Sequence, residues 1–284
     1  MKVLITGGNG FIAKNFKESF SEKYEIFAPS RTELDLLQTR QVAEYLIKNK
    51  FDVVIHAANY DAAPKHSTKD PQKVLENNLK MFFNIVRNEK NYGKMIFLGS
   101  GAEYCRENWI PKMGEGYFDN DIPKDQYGLS KYIMTKFALK SPKTVNLRLF
   151  AVYGKYEDFR VRVISNMCYE AVKSKSIHLR KNLRFDFLLV DDLVKIVDYF
   201  ISGEFKERIF NVCSGEVIDF LTIAKEIRRL SGMELEIIIE NKKICGEYSG
   251  DNSRLLRAIG GFEFTSWGTG VANLFHWFKD QNED

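Results

Sequence analysis

Cysteine is scarce and scattered in this chain: Cys105, Cys168, Cys213 and Cys245 are the four among 284 residues, with no CxxC pair and no histidine at ligand spacing beside any of them. That spacing excludes a thiolate zinc site and a disulfide framework, so reduced thiols and no metal are expected. Long apolar runs are also missing. No stretch keeps about 18 apolar residues in a row, and Met1 leads directly into a strand-like segment without a basic leader. The expectation is a cytoplasmic protein with no membrane partner. Charge of one sign is not concentrated either: 42 Lys plus Arg against 38 Asp plus Glu leave +4, spread along the chain. Without a basic arm or stripe, nucleic acid is not an expected partner, while a modest positive bias suits a phosphate-bearing small ligand. There is no internal repeat, low-complexity tract or flexible linker.

What is present is alternation. With 44% hydrophobic residues the chain can bury a sizeable core. Short apolar runs at Lys2–Thr6, Glu25–Ala28, Val53–His56, Met95–Gly99 and Thr144–Leu149 are separated by segments of helical period near Ile12–Ser21, Thr39–Lys48, Val74–Asn88 and Tyr127–Leu139. Five strands with four crossovers predict an α/β fold, a Rossmann-type doubly wound parallel sheet whose ligand crevice lies beyond the carboxyl ends of the strands. After Tyr153 the pattern loosens. A strand turning into a helix over Phe187–Ile201, a strand at Arg208–Val212, a helix at Leu221–Leu230, a strand-like Leu235–Ile239, a polar loop through Asp251 and an amphipathic Gly270–Phe278 follow. The expected division is a dinucleotide-binding domain over 1–155, with 186–212 returning to it, and a smaller C-terminal α/β substrate lobe formed by 156–185 and 213–284.

The first strand runs into Thr6-Gly7-Gly8-Asn9-Gly10-Phe11-Ile12-Ala13 and then into a helix, the context that a dinucleotide phosphate loop requires. Gly7 can take the tight turn, Gly10 lets the backbone approach a pyrophosphate, and the N–H groups around Phe11 and Ile12 open a helix whose dipole favours anions. Ala13 stands where a third glycine is usual. At the end of the second strand, where an acidic residue would accept the ribose 2′-hydroxyl of NAD, the chain reads Ser30-Arg31. A guanidinium beside a hydroxyl suits a 2′-phosphate, so NADP (NADPH) is the predicted cofactor. Asp35 and Leu36 are candidates to flank the adenine, and Ala57 and Ala58 supply small side chains where the cofactor passes.

Tyr127 and Lys131 are four residues apart at the start of a helix and so share a face. A tyrosine hydroxyl titrates at about 10, too high for efficient proton exchange near neutrality, and a fixed ammonium beside it lowers that value. Ser100, in Gly99-Ser100-Gly101-Ala102-Glu103-Tyr104 at the end of the fourth strand, is placed to hydrogen-bond a substrate oxygen. These three motifs, in this order and on these element ends, make the chain resemble the extended short-chain dehydrogenases/reductases of the NAD-dependent epimerase/dehydratase family, those acting on nucleotide sugars. Ser30 to Leu36, Leu98-Gly99-Ser100, Asn78 and Asn84, Val190-Asp191-Asp192 and Asn211-Val212-Cys213-Ser214-Gly215 are most similar to the GDP-fucose synthase type of C4-reductase, over nearly the whole chain.

The resemblance implies a homodimer and an NDP-sugar substrate, a nucleotide diphosphate sugar, with Ser100, Tyr127 and Lys131 as the catalytic group. It also sorts the reactions. Dehydratases of the family carry an Asp-Glu pair after the catalytic hydroxyl, where this chain has Gly101-Ala102. The GDP-fucose synthase type has a cysteine at the position of Ala102 and a downstream histidine for epimerisation, and neither matches here. What remains by resemblance is reduction of a C4 ketone on a 4-keto (6-deoxy) hexose or heptose for surface polysaccharide. The alternatives are a 4-epimerase that keeps NAD bound, and a non-catalytic NADP-binding regulator. For the substrate, Ala102, Lys181, Arg184 and Arg254 are the candidate contacts, with Arg180 beside them. Phe185 occupies the slot where the family carries a phosphate-binding arginine, and Ala151 replaces an asparagine before Val152-Tyr153-Gly154.

Overall fold

The computed structural model describes residues 1–61 and 67–283. Strand β1 (Lys2–Thr6) is followed by α1 (Phe11–Phe20), β2 (Glu25–Phe27), α2 (Thr39–Asn49), β3 (Phe51–His56), α3 (Val74–Val86), β4 (Tyr92–Ser100), α4 (Gln126–Ala138) and β5 (Thr144–Leu149). Next come β6 (Val152–Tyr153), α5 (Val163–Val172), β7 (Ile177–Asp186), β8 (Leu188–Leu189), α6 (Val190–Ser202) and β9 (Ile209–Val212). The chain closes with β10 (Val217–Asp219), α7 (Phe220–Ser231), β11 (Ile237–Tyr248), α8 (Ser253–Ile259) and α9 (Trp267–Glu283).

Two compact units divide these elements. The first comprises Met1–Asn108, Glu115–Leu149 and Ile196–Asn211; the second comprises Trp109–Gly114, Phe150–Lys195 and the chain from Val212 onward. In the first unit six strands lie in the order β2-β1-β3-β4-β5-β9, with β1 flanked by β2 and β3 in parallel register. The chain reverses direction across the sheet at β1, and the crevice at such a switch point is where this architecture binds its ligand. This is the Rossmann-type sheet read from the sequence, with one more strand than the five first counted, because β9 adds beyond β5. Continuous apolar strands explain the burial: Val3, Val53, Val54, Ile55, Met95, Ile96 and Leu147 are all fully covered, as strands packed on both faces must be.

The second unit holds a three-stranded sheet, β10-β7-β11, in which β10 runs antiparallel and β11 parallel to β7. Two features here depart from the sequence reading. The chain is regular from Val163: α5 buries Ile164, Met167, Cys168 and Ala171 against Ile223, Ile227, Leu274 and Phe278, and β7 runs ten residues. The polar loop expected before Asp251 is strand as far as Tyr248, with register shifts at Asn241/Ile244 and Ile244/Glu247. Both strands are rich in charge because much of their surface faces water, one side of β7 and nearly all of β11 from Glu240 to Gly246; hydrophobic pattern alone under-reads such strands. Among the described residues no helix is long and apolar enough to cross a membrane, and no cluster of His, Cys, Asp or Glu could hold a metal ion.

Candidate active site

The loop after β1 is shaped by contacts that leave no room for side chains. Gly7 has φ +73°, and a Cβ there would stand 2.9 Å from the Ala58 Cα; one at Gly8 would overlap the Ala28 carbonyl. The Gly10 N–H donates to the Gly7 carbonyl at 2.8 Å, closing the turn. Gly10 is the N-cap of α1, with no side-chain cap and no acidic residue in the first turn, so the N–H groups at Phe11 and Ile12 are free of a competing carboxylate. Ala13 is buried, so its methyl group fits where a third glycine was expected. The Thr6 hydroxyl pairs with His56 Nδ1 at 3.0 Å and accepts from the Ala58 N–H at 3.1 Å, tying β1 to the end of β3. Burial, and then the nearby Lys131 charge, push the His56 imidazole down to about 3, so it is neutral. Tight backbone, small side chains and an uncapped helix N-terminus fit the pyrophosphate of a dinucleotide.

At the end of β2 the arrangement is mixed. Arg31 is exposed, 3.8 Å from Asp35. Ser30, expected to hold a phosphate alongside it, gives its N–H (2.7 Å) and its hydroxyl (2.8 Å) to Glu33. A carboxylate therefore stands two residues beyond Arg31, held below the usual range by those same Ser30 bonds. Asp35 accepts from the Leu37 N–H at 3.1 Å, and Leu36 packs into the core with its carbonyl accepting from Asn84. Ala57 is half-buried and Ala58 buried at the end of β3.

Ser100, Tyr127 and Lys131 lie within the first unit, and the structure shows why they gather. Ser100 ends β4 and caps a short 3-10 turn, Gly101–Glu103, with its Oγ accepting from the Ala102 N–H at 3.1 Å. Because the oxygen is the acceptor there, the serine proton is left to donate elsewhere. Asp125 caps α4 by accepting from the Gly128 N–H at 2.8 Å, which starts the helix at Gln126 and puts Tyr127 in its first turn. A Cβ at Gly128 would stand 2.6 Å from the Ala102 carbonyl, so this glycine lets the helix abut the serine turn. Lys131 is buried, donates to the Leu98 carbonyl at 2.9 Å, and lies 4.8 Å from the Phe97 ring centre and 5.8 Å from that of Tyr127. Burial pulls its ammonium down to about 8, against the opposing pull of Glu103. Ala102 is buried as the pivot of the turn.

Behind the turn is a group that sequence reading passed over. Glu103 and Arg148 form an ion pair at 2.8 Å with both side chains fully buried, and Glu103 also accepts from the Ser100 N–H at 3.0 Å. An arginine within the apolar strand Thr144–Leu149 was the available signal, since a charge so placed needs a partner.

The second unit contains a cleft of about 480 Å³ whose lining includes Arg160, Arg162, His178, Arg180, Lys181 and Phe220. Lys181 and Arg180 are thus brought together there, while Arg184 pairs with Glu247 at 3.4 Å and Arg254 sits on α8, neither of them in its lining. Arg160 donates three hydrogen bonds to Asp158, one from its backbone N–H and two from its guanidinium. Arg160, Arg162 and His178 were missed; His178-x-Arg180 carries the two-residue spacing that puts side chains on one side of a strand, whereas Arg160 lies in a turn before α5 that gives no such signal.

Comparison with known proteins gives the family and the fold. The model of the NAD dependent epimerase/dehydratase family matches residues 3–213. GDP-L-colitose synthase of Yersinia pseudotuberculosis is 26% identical over 275 residues, 87% of each chain. Among solved structures, UDP-glucose 4-epimerase of Thermotoga maritima superimposes with a TM-score of 0.86 at 18% identity, covering 99% of this chain and 100% of that one. A GDP-mannoheptose C4 reductase of Campylobacter jejuni with NADP bound gives 0.84 at 18%, covering 98% of each. By the extent of the family match, the chain belongs to the NAD dependent epimerase/dehydratase family and is an NAD(P)-dependent oxidoreductase.

Proposed function

We propose that this chain is an NADPH-dependent C4-ketoreductase of a nucleotide-linked 4-keto (6-deoxy) sugar, hexose or heptose. The observation that carries the reading is the buried Lys131 ammonium beneath the Tyr127 ring, with a Ser100 hydroxyl whose proton is not used by its own cap. Residues 7–12 would hold the pyrophosphate, and Arg31 the 2′-phosphate. When bound, the reduced nicotinamide supplies a hydride. Tyr127 donates the proton to the developing alkoxide, Ser100 orients the same oxygen by hydrogen bonding, and Lys131 favours the phenolate that is left. The cationic cleft of the second unit suits the nucleotide diphosphate: among the described residues Arg180 and Lys181 have no carboxylate partner, so their charge is available to phosphate. The names of the colitose synthase and the heptose C4 reductase fit reduction at a sugar ketone.

One observation favours a second reading. Glu33 at Ser30 places a carboxylate beyond β2, where NAD-binding folds carry one, and the similar Thermotoga maritima structure is a 4-epimerase. The test is oxidation of NADPH, followed by its absorbance, against GDP-, dTDP-, CDP- and UDP-linked 4-keto-6-deoxy sugars and heptoses, with NADH in parallel. Turnover with one of them is expected. Silence across the panel, with NAD retained through purification, would replace the reductase by the epimerase.

A further inference from the structure

We propose that Glu103 is a positioning residue of this site: its carboxylate, anchored by Arg148, fixes the backbone at Ser100 and is the buried counter-ion of Lys131. The inference rests on the reading of Ser100, Tyr127 and Lys131 as the catalytic group. It starts from an energetic oddity. A fully buried ion pair costs desolvation of both charges, and an apolar pair of the same size is commonly as stable or more so. Stability alone therefore gives little reason for Glu103 and Arg148 to be charged.

The geometry supplies one. Glu103 accepts from the Ser100 N–H at 3.0 Å, from Asn146 Nδ2 at 3.2 Å through each oxygen, and from Arg148 Nε at 2.8 Å. A Cβ at Gly99 would overlap Glu103 and Asn146, so the carboxylate lies directly against the strand end that carries Ser100. Asn146 reaches on to the Thr135 hydroxyl at 2.7 Å, which is one turn along α4 from Lys131, and Arg148 reaches Tyr104 and Asn211. One carboxylate thus ties together β4, β5 and α4, the three elements that bring the serine and lysine to their places.

Charge counting points the same way. Lys131 and Arg148 are buried cations, and Glu103 is the one carboxylate among the described residues of the first unit that is fully buried. The groups facing Lys131 are the Leu98 carbonyl and Phe97 ring from β4, Tyr127 from its own helix, His56 from β3, which is neutral, and Glu103 from the turn. Glu115 adds a more distant negative charge toward Arg148. Alongside the Leu98 carbonyl and the Phe97 ring face, Glu103 is the group whose full negative charge opposes the desolvation of the ammonium.

The test reads Lys131 itself, without substrate. In protein labelled with 13C-lysine, the Cε signal missing from Lys131→Arg identifies the residue, and its pH titration is followed in wild type, Glu103→Gln and Glu103→Gln/Arg148→Met. The midpoint is expected near 8 in the wild type, lower by about one pH unit in Glu103→Gln because a nearby negative charge has gone, and lowered less in Glu103→Gln/Arg148→Met, where a cation leaves with it. Where turnover is available, kcat should fall about ten-fold with KM within about two-fold, and the alkaline limb should move down with the lysine. An unmoved midpoint would overturn the proposal, as would failure of both variants to fold, which would assign the pair to stability alone. The underlying reading fails separately, if Tyr127→Phe retains turnover.

Discussion

At Tyr127 a half-buried phenol meets a lysine that has been stripped of water, and the consequence is a defined pH window. The Lys131 ammonium, lowered to about 8 by burial, is present at neutrality and lost as pH rises through that value, and a phenol in the proposed role of proton donor is likewise used up by alkali. The reductive rate should therefore be flat toward neutral pH and decline above about pH 8. Tyr127→Phe should cost about 10² to 10⁴ in kcat while leaving cofactor affinity intact, measured by turnover and by NADPH fluorescence titration; near-normal turnover would remove Tyr127 from the chemistry. Arg31 is a separate residue-scale question. With 68% of its side chain exposed and Asp35 only at 3.8 Å, it is available to a phosphate. Arg31→Ala should weaken NADPH about ten- to a hundred-fold and NADH hardly at all, read by calorimetric titration of both; equal losses would make Arg31 a bystander and strengthen Glu33 as the ribose contact.

Among the elements, α4 carries two of the three proposed catalytic residues, Tyr127 and Lys131. Its start is set by one capping bond, from the Gly128 N–H to Asp125, and by the absence of a Cβ at Gly128 against the Ala102 carbonyl. Asp125→Ala should lower stability by about 1 kcal/mol in a urea melt and lower kcat more than KM, since the first turn that fraying loosens is the one bearing Tyr127. A stability loss with unchanged kcat would show that Tyr127 is held by other contacts. The glycine loop is a harder constraint: Gly8→Val would drive a side chain into the Ala28 carbonyl. Its expected outcome is loss of nicotinamide nucleotide binding with the rest of the sheet intact by circular dichroism. Retained affinity would mean that the loop after β2 moves aside freely.

For the whole molecule, buried titratable groups set how stability depends on pH. Burial pushes Glu157 up to about 7, despite the Ser165 hydroxyl donating to it at 2.6 Å and Arg162 at 4.0 Å, and burial raises Asp186 to about 6. An acid whose folded value is raised contributes stability that is full below the unfolded value and is lost as pH rises through the folded one. For Glu157 that window runs from about 4.5 to about 7. His56 works on the other side: its folded value is depressed, so its contribution is full above about 6.5 and is lost as pH falls toward about 3. Glu157→Gln should therefore gain relative to wild type on going from pH 5 to pH 8, by on the order of 3 kcal/mol in urea melts at the two pH values. A gap that does not change with pH would mean that Glu157 titrates normally.

The order of apolar runs and helical segments up to Leu149 was enough to determine the doubly wound sheet, because strands buried on both faces leave an uninterrupted hydrophobic signature. The glycine turn after β1, the serine turn and the Tyr-x-x-x-Lys pair were also legible in position, since each is a local motif on a predictable element end. Only the tertiary structure decided what lies across from them. The pairing of Glu103 with Arg148, the capture of Ser30 by Glu33, and the gathering of Arg160, Arg162, His178, Arg180 and Lys181 around one cleft join residues whose relation depends on register, packing and side-chain direction. Strand β7 shows the reason in miniature. Its alternating charges read as loop in one dimension, and become a strand with a buried and an exposed side only when β10 and β11 supply its hydrogen bonds. Local pattern fixes which element a residue belongs to, whereas long-range contact fixes which charges and hydroxyls it must answer to.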